Sequence, residues 1–252
     1  GELNAAFTIT AHEAAHQWWA NRLTPGEGPG APVLAEALSH FSALLLLREM
    51  RGDEVRRGFA QVIDRRYLEE RRRDGERPLI EVDGSREGDT TLFYDKGGSV
   101  FWMLAEQLGH EPLKKGLAAM IARYGEGPDY PAVPDLLAGL REHAVDGAAF
   151  DAMAHQLFAE VVLPEYRVTA TPTPSGSGHR VEATVDNRGT GAFLVEVAVL
   201  GDGDLREVTR VEIPSEGSRS LSLEVPFAPR SVAVDPDVHV LQLGRSAAKA
   251  RL

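Results

Sequence analysis

The chain has 252 residues, 43% of them hydrophobic, with 27 basic against 38 acidic residues and no cysteine. At about 150 residues per domain this makes one large domain or two modest ones, apolar enough to bury a core and too apolar for disorder. The missing cysteine excludes a disulfide framework, a thiolate metal site and a cysteine nucleophile, and the net charge of −11 argues against binding nucleic acid or an anionic membrane.

Before Pro164 the sequence is rich in Ala, Leu, Glu and Arg at helical spacing. Residues 5–22 read as a first helix, 33–51 as a second, and 53–73 as a third that is charged along one side. Residues 78–90 read as a polar loop. Helices over 92–109 and 112–124 stop at Gly109 and Gly125, and segments 134–143 and 148–159 complete the helical part. No apolar run approaches the roughly 20 residues needed to span a bilayer, so this segment does not insert into a membrane. From Pro164 onward the apolar period falls to two. Segments 166–171, 180–185, 193–199, 206–213, 220–225 and 231–234 alternate like half-buried strands, with turn formers at 174–178, 187–189, 201–204 and 215–217. The expected fold class is α + β in separate domains: an α-helical domain over 1–163, a small antiparallel β-sandwich over 164–245, and a loose tail over 246–252. The chain begins at Gly1 with neither an initiator Met nor a signal peptide, and so reads as a later part of a longer chain, its helical domain incomplete at the N-terminus.

The acidic excess sits in that helical part. From Pro164 the chain carries 10 basic and 12 acidic residues, whereas the first 163 residues carry 17 and 26. A cation is favoured there, and the segment Thr10-Ala-His12-Glu13-Ala-Ala-His16-Gln17-Trp18-Trp19 names one. Its H-E-x-x-H lies on an Ala-rich helix. Residues four apart share a helix face, so His12 and His16 reach one metal ion, while Glu13, rotated by one residue, meets a water on that metal. Zinc in such a setting takes two His, one carboxylate and a water whose pKa falls to near 7, and a neighbouring carboxylate takes the proton. Glu36, early in the second helix, is the candidate third ligand, because the Pro/Gly-rich loop 25–32 lets that helix turn back across the first. One Zn2+ per chain follows.

The H-E-x-x-H-Q-W-W string resembles the zinc signature of the M1 family of zinc aminopeptidases, among the gluzincins. Tyr94-Asp95-Lys96-Gly97 matches the Tyr-x-Lys-Gly that this family carries at the start of a helix. The resemblance covers residues 5–163. It implies a zinc metallopeptidase that hydrolyses peptide bonds from the N-terminus. His12, His16 and Glu36 would hold the metal, Glu13 would activate the zinc-bound water and return its proton to the leaving amine, and Tyr94 would stabilise the oxyanion. Text at 10–19, 34–43 and 130–141, with the β-rich continuation, is most similar to a bacterial branch. In that branch the peptidase domains are joined to membrane segments like those of ABC-transporter permeases. This implies a soluble domain of a membrane protein.

Three departures stand out. The spacing from His16 to Glu36 is one residue longer than the family's common one. Ala37 stands where the family has Gly after the third ligand. The family's Gly-x-Met-x-Asn strand, which reads the substrate's free amine, belongs before the zinc helix and is absent from these residues. Two alternatives therefore stay open: a zinc endopeptidase, and a non-catalytic peptide-binding or scaffolding module of a membrane-associated complex.

Other residues carry structural readings. His40, one turn after Glu36, reads as an ordinary buried or rim histidine, with support of the ligands as its alternative. Trp18 and Trp19 read as core packing, and Asn21 and Lys96 as structural. His110, His143, His155, His179 and His239 lack spacing partners and read as structural or surface residues. Arg65-Arg66 and Arg71-Arg72-Arg73 read as a solvated helical face. Asp235-Pro236-Asp237 reads as a turn rather than a calcium site.

Overall fold

In a computed structural model, which describes residues 5–72 and 75–252, the chain divides into two units, Gly1–Val161 and Val162–Leu252. The first is helical. Its α1 (Ala5–Ala15) stops well short of the predicted residue 22. The backbone instead folds back on itself, with Leu23 N–H donating to Trp18 O (2.8 Å) and Ala20 N–H to Leu23 O (3.0 Å), and it sets Ala20 at φ +87°. Burial of Trp19 is what the turn accomplishes: its indole N–H reaches Ser42 Oγ at 2.9 Å. Trp18, expected in the core, is 53% exposed, because the same turn points it the other way.

The predicted helix over 33–51 is two pieces, a π-helical turn at Val33–Ala37 and then α2 (Leu38–Arg51). After Gly52, at φ +88°, comes α3 (Asp53–Glu70). The polar stretch holds a 3-10 turn at Leu79–Glu81 and the short α4 (Asp89–Thr91). A second π-helical turn, Leu92–Lys96, leads into α5 (Gly97–Leu108). Gly109, at φ +99°, separates α5 from α6 (His110–Tyr124), which starts two residues before its predicted position. Then come α7 (Val133–Arg141), α8 (Gly147–Ala154), capped by the Asp146 carboxylate, and a third π-helical turn at His155–Ala159.

The core of this unit gathers around α2 and α5, where Phe41 meets Phe101 and Trp102 at ring separations of 6.1 and 6.3 Å, and Phe101 meets Phe158 at 5.3 Å. Two glycines let α5 come this near. A Cβ at Gly97 would lie 2.6 Å from Ala37 Cβ, and one at Gly98 would lie 2.5 Å from His40 Cδ2. The two π-helical turns bearing Glu36 and Tyr94 are thereby brought together. Among the described residues no helix is long and apolar enough to cross a membrane.

The basic run on α3 is not a solvated face throughout. Arg65, Arg66 and Arg72 are exposed, yet Arg66 makes a two-pronged bond to the buried Asp95 carboxylate, and the half-buried Arg71 donates to Glu76 Oε2 at 2.9 Å. Arg73 lies outside the described residues. Glu76 also takes Lys96 Nζ and Tyr67 O–H, each at 2.6 Å, and both the Glu76 and Lys96 side chains are 2% exposed. Burial raises the Glu76 pKa, yet Lys96, Tyr67 and Arg71 together hold it below the ordinary carboxylate range. The segment carrying Tyr94 is thus pinned at Asp95 by the half-exposed Arg66 and at Lys96 by a buried charge pair with Glu76.

The second unit consists of two antiparallel sheets. One has the order β1 (Tyr166–Ser175), β2 (Gly178–Asn187), β5 (Ser218–Val225). The other runs β4 (Arg206–Ile213), β3 (Phe193–Leu200), β6 (Ser231–Val234), β7 (Lys249–Arg251). Val181, Ala183 and Val185 of β2 and Phe193, Val195, Val197 and Val199 of β3 are buried, as period-two alternation demands. Strand β7 lies in the predicted loose tail. Three residues are too few to display a period, and its partner, β6, lies 15 residues upstream or more. Val234 N–H donates to Ala248 O (2.8 Å), Val168 N–H to Ala247 O (3.1 Å) and Leu252 N–H to Arg230 O (3.0 Å). Asp235 organises a turn, as expected, accepting from the His239 and Val240 N–H groups at 2.8 and 3.0 Å.

Two stability predictions arise. Glu76→Leu strands the buried Lys96 ammonium and should cost about 3–5 kcal/mol in urea unfolding, part of which a further Lys96→Met change should recover. Deleting residues 246–252 removes these three hydrogen bonds together with the β6–β7 pairing and should destabilise the β unit by about 2 kcal/mol or more. A free tail would leave that transition unchanged.

Candidate metal centre

His12 sits in the last turn of α1 and His16 one residue beyond its end, while Glu36 projects from the first π-helical turn. A π-helical turn widens the helix by one residue, and it tends to occur where a side chain must be re-aimed. Here it aims Glu36 at both imidazoles. Glu36 Oε2 lies 3.2 Å from His12 Nε2 and 3.3 Å from His16 Nε2. All three donor atoms are within 4.8 Å of one another. Ligands at the ~2.0–2.1 Å bond lengths of tetrahedral zinc stand about 3.3 Å apart, so two imidazole nitrogens and one carboxylate oxygen at this separation fit such an ion.

Each donor is also oriented. His16 Nδ1 lies 3.0 Å from Trp19 O, and because a carbonyl only accepts, Nδ1 carries the proton and Nε2 keeps its lone pair for the metal side. Ser39 Oγ lies 3.1 Å from the same nitrogen. Burial raises the Glu36 pKa, but bonds from His12 and Tyr94 and the charges of His16 and His12 bring it below its ordinary value. Glu36 is therefore an anion.

Tyr94 is on the second π-helical turn, its ring 5.5 Å from that of His12 and its hydroxyl bonded to Glu36. Burial first, then the bond and charge of Glu36, and finally the charge of Glu13 push its pKa up to about 12. Its phenol thus keeps its proton at neutral pH. Glu13 is exposed and stands outside the three-donor group. It shares with Tyr94 a cavity of about 360 Å3, whose other walls include Ile9, Phe59, Val62 and His40. His40 is 5% exposed, and its Nε2 is buried with no hydrogen-bond partner among the described residues. Burial, followed by the charges of His12 and Arg66, pushes its pKa down to about 3 against the pull of Glu36.

The five residues singled out by spacing and resemblance are thus brought to one place. Of the others, Lys96 turns to Glu76, and Asn21 is exposed. His110 bonds Glu106 and His155 pairs with Glu160, both away from this centre. Sequence reasoning missed Ser39, the Trp19 carbonyl and Arg66. No motif marks a backbone carbonyl, Ser39 has no spacing signal, and Arg66 was submerged in a basic run. It also found no partner for His239, which the β unit groups with Glu196 and Asp237. Arg206 pairs with both of those carboxylates, at 3.6 and 2.9 Å, and supplies the positive charge there.

No curated protein matches the chain. The crystal structure of Legionella pneumophila aminopeptidase A in complex with aspartic acid is similar, with a TM-score of 0.67 at 18% identity. That likeness covers 93% of this chain and 26% of the Legionella one, so the chain spans about a quarter of that enzyme's length and shares its fold there. The peptidase family M1 domain matches residues 2–156, which is more than half of the sequence. On that match the chain belongs to peptidase family M1.

Proposed function

We propose that the chain carries the catalytic centre of a zinc-dependent peptidase, with an aminopeptidase as the parent activity. The observation that carries this reading is the meeting of His12 Nε2, His16 Nε2 and Glu36 Oε2, with Tyr94 O–H on the same carboxylate. Family membership supports the peptide substrate, and the Legionella neighbour, an aminopeptidase, supports attack at the N-terminal residue.

His12, His16 and Glu36 would hold the zinc. When bound, the ion supplies Lewis acidity that polarises the scissile carbonyl and makes water nucleophilic near neutral pH. Glu13, next in sequence to His12 and open to the cavity, takes the water's proton and delivers it to the leaving amine. Tyr94, still protonated, shifts its hydrogen bond from Glu36 to the oxyanion as negative charge develops there. A donor of that kind is worth about 3–4 kcal/mol in comparable hydrolases. The Trp19 carbonyl keeps His16 in the tautomer whose Nε2 is free to ligate.

Emission spectroscopy on the purified chain should find close to one zinc per molecule, lost on His12→Ala or Glu36→Ala. Glu13→Gln should keep the zinc and lower peptide hydrolysis by about 10²-fold or more. Tyr94→Phe should keep the zinc and lower kcat by about 10²–10³-fold. A chain with no zinc affinity would overturn the metal assignment, and full activity in Glu13→Gln would overturn the base. Peptides with free and blocked amines, assayed side by side, test the aminopeptidase mode.

A further inference from the structure

The two imidazoles of the centre are not held alike. His12 stands inside α1, where the helical backbone fixes the root of its side chain. His16 lies one residue past the end of α1, in the turn. A ligand with no helix behind it depends on what meets its other ring nitrogen. Two acceptors do so at His16 Nδ1, Trp19 O at 3.0 Å and Ser39 Oγ at 3.1 Å. Trp19 is tied down in turn, its indole N–H donating to Ser42 Oγ at 2.9 Å. Ser39 and Ser42 are three apart on α2 and so share a helix face. Ser39 is fully buried, and Ser42 is half-buried. The sequence segment that delivers Glu36 therefore also seats His16, once directly and once through Trp19.

We propose that Ser39 and Ser42 are positioning residues for His16, Ser39 by its bond to the ring and Ser42 through Trp19, and that together they set the zinc affinity of the centre. The proposal rests on the zinc reading above and goes beyond its ligand set. The Trp19 carbonyl only accepts, so Nδ1 carries the proton, and Ser39 Oγ receives a second branch of the same N–H. An imidazole whose Nε2 is engaged by a cation is poorer in electrons and donates more strongly from Nδ1. The two acceptors therefore gain more in the loaded chain than in the empty one. By linkage, that difference raises the affinity for the ion. Ser42 acts at one remove. Without it the buried indole N–H loses its acceptor, and the residue whose carbonyl faces His16 loses its bond to α2.

Competition for zinc against a chromophoric chelator, at one neutral pH, tests this without any turnover. Ser39→Ala should weaken zinc binding about tenfold, the low end of what losing a ligand's outer partner costs, because the Trp19 carbonyl remains. Ser42→Ala should weaken it about threefold, since that carbonyl is loosened rather than lost. With both serines replaced the ring loses its direct and its indirect support, and the loss should exceed the product of the two, reaching about 10²-fold. Ser39→Thr and Ser42→Thr keep the hydroxyl and should bind zinc like the unaltered chain. Serines that merely helped the fold would lower the urea stability of the metal-free variants and leave the zinc affinity of the folded chain unchanged. That result overturns the positioning role and leaves the zinc reading standing. An unaltered chain with no zinc affinity overturns both. Should a variant fail to fold, the 15N NMR spectrum of the unaltered chain decides. The His16 Nδ1–H should give a resolved signal that moves downfield as zinc is added, and an unprotonated Nδ1, or a signal that zinc leaves in place, overturns the assignment.

Discussion

The helical unit is organised around one carboxylate oxygen. Glu36 Oε2 sits about equally far from two imidazole nitrogens, at 3.2 and 3.3 Å, in surroundings that would by burial alone favour its neutral form. That it stays ionised depends on groups arriving from three directions: His12 within α1 and Tyr94 from the turn before α5, which donate hydrogen bonds, and His16 just past the end of α1, which acts through its charge. Each arrival has its own structural cause. α1 has to stop near Ala15 so that Trp19 can enter the core, and in stopping it turns the Trp19 carbonyl onto His16 Nδ1. The packing of one indole and the tautomer of one ligand are consequences of the same turn.

Tyr94 depends on charges further out. The residues immediately after it, Asp95 and Lys96, are both buried, and each is matched by an opposite charge, Arg66 and Glu76 respectively. A fully buried pair such as Lys96–Glu76 adds little net stability, because desolvation cancels most of the attraction, but it penalises any arrangement that separates it, and the buried Asp95 carboxylate is likewise held to the half-exposed Arg66. The outcome is geometric. The π-helical turn cannot rotate without breaking two ion pairs at once, and Gly97 lets it press against the turn that bears Glu36. The acidic excess of the helical part is thus only partly a surface property, since some of its carboxylates are interior fixings.

Local pattern carries much of this into the sequence. The four-residue spacing of His12 and His16, the period-two strands and the glycine stops at Gly109 and Gly125 are short-range signals, read from neighbours within a turn or a pair of residues. What escaped reading is long-range. The end of α1 is decided by Trp19 meeting Ser42, 23 residues on, which overrides an Ala-rich helical pattern. The π-helical turns at Val33–Ala37 and Leu92–Lys96 look like ordinary helix in composition, because the extra residue is absorbed by tertiary contacts rather than by any residue type. Strand β7 exists only because β6 offers it an edge. Arg66 and Arg71 carry the same letters as the exposed Arg65, and only the positions of Asp95 and Glu76 distinguish them.

The same division separates chemistry from selectivity in the proposed site. Ligands, base and oxyanion donor come from three short stretches, at 12–16, 36 and 94, because a metal needs several donors within a few ångströms and a single helix face supplies two of them. The cavity that would choose a substrate is assembled differently, from α1, α2, α3 and the turn carrying Tyr94, with Ile9, His40, Phe59 and Val62 contributing one wall each. Only Phe59 and Val62, three apart on α3, have a spacing relation that a sequence could display. His40 illustrates the consequence. One turn beyond a metal ligand it reads as core, and in the fold it is almost fully buried, yet its Nε2 is left unanswered by any described protein group.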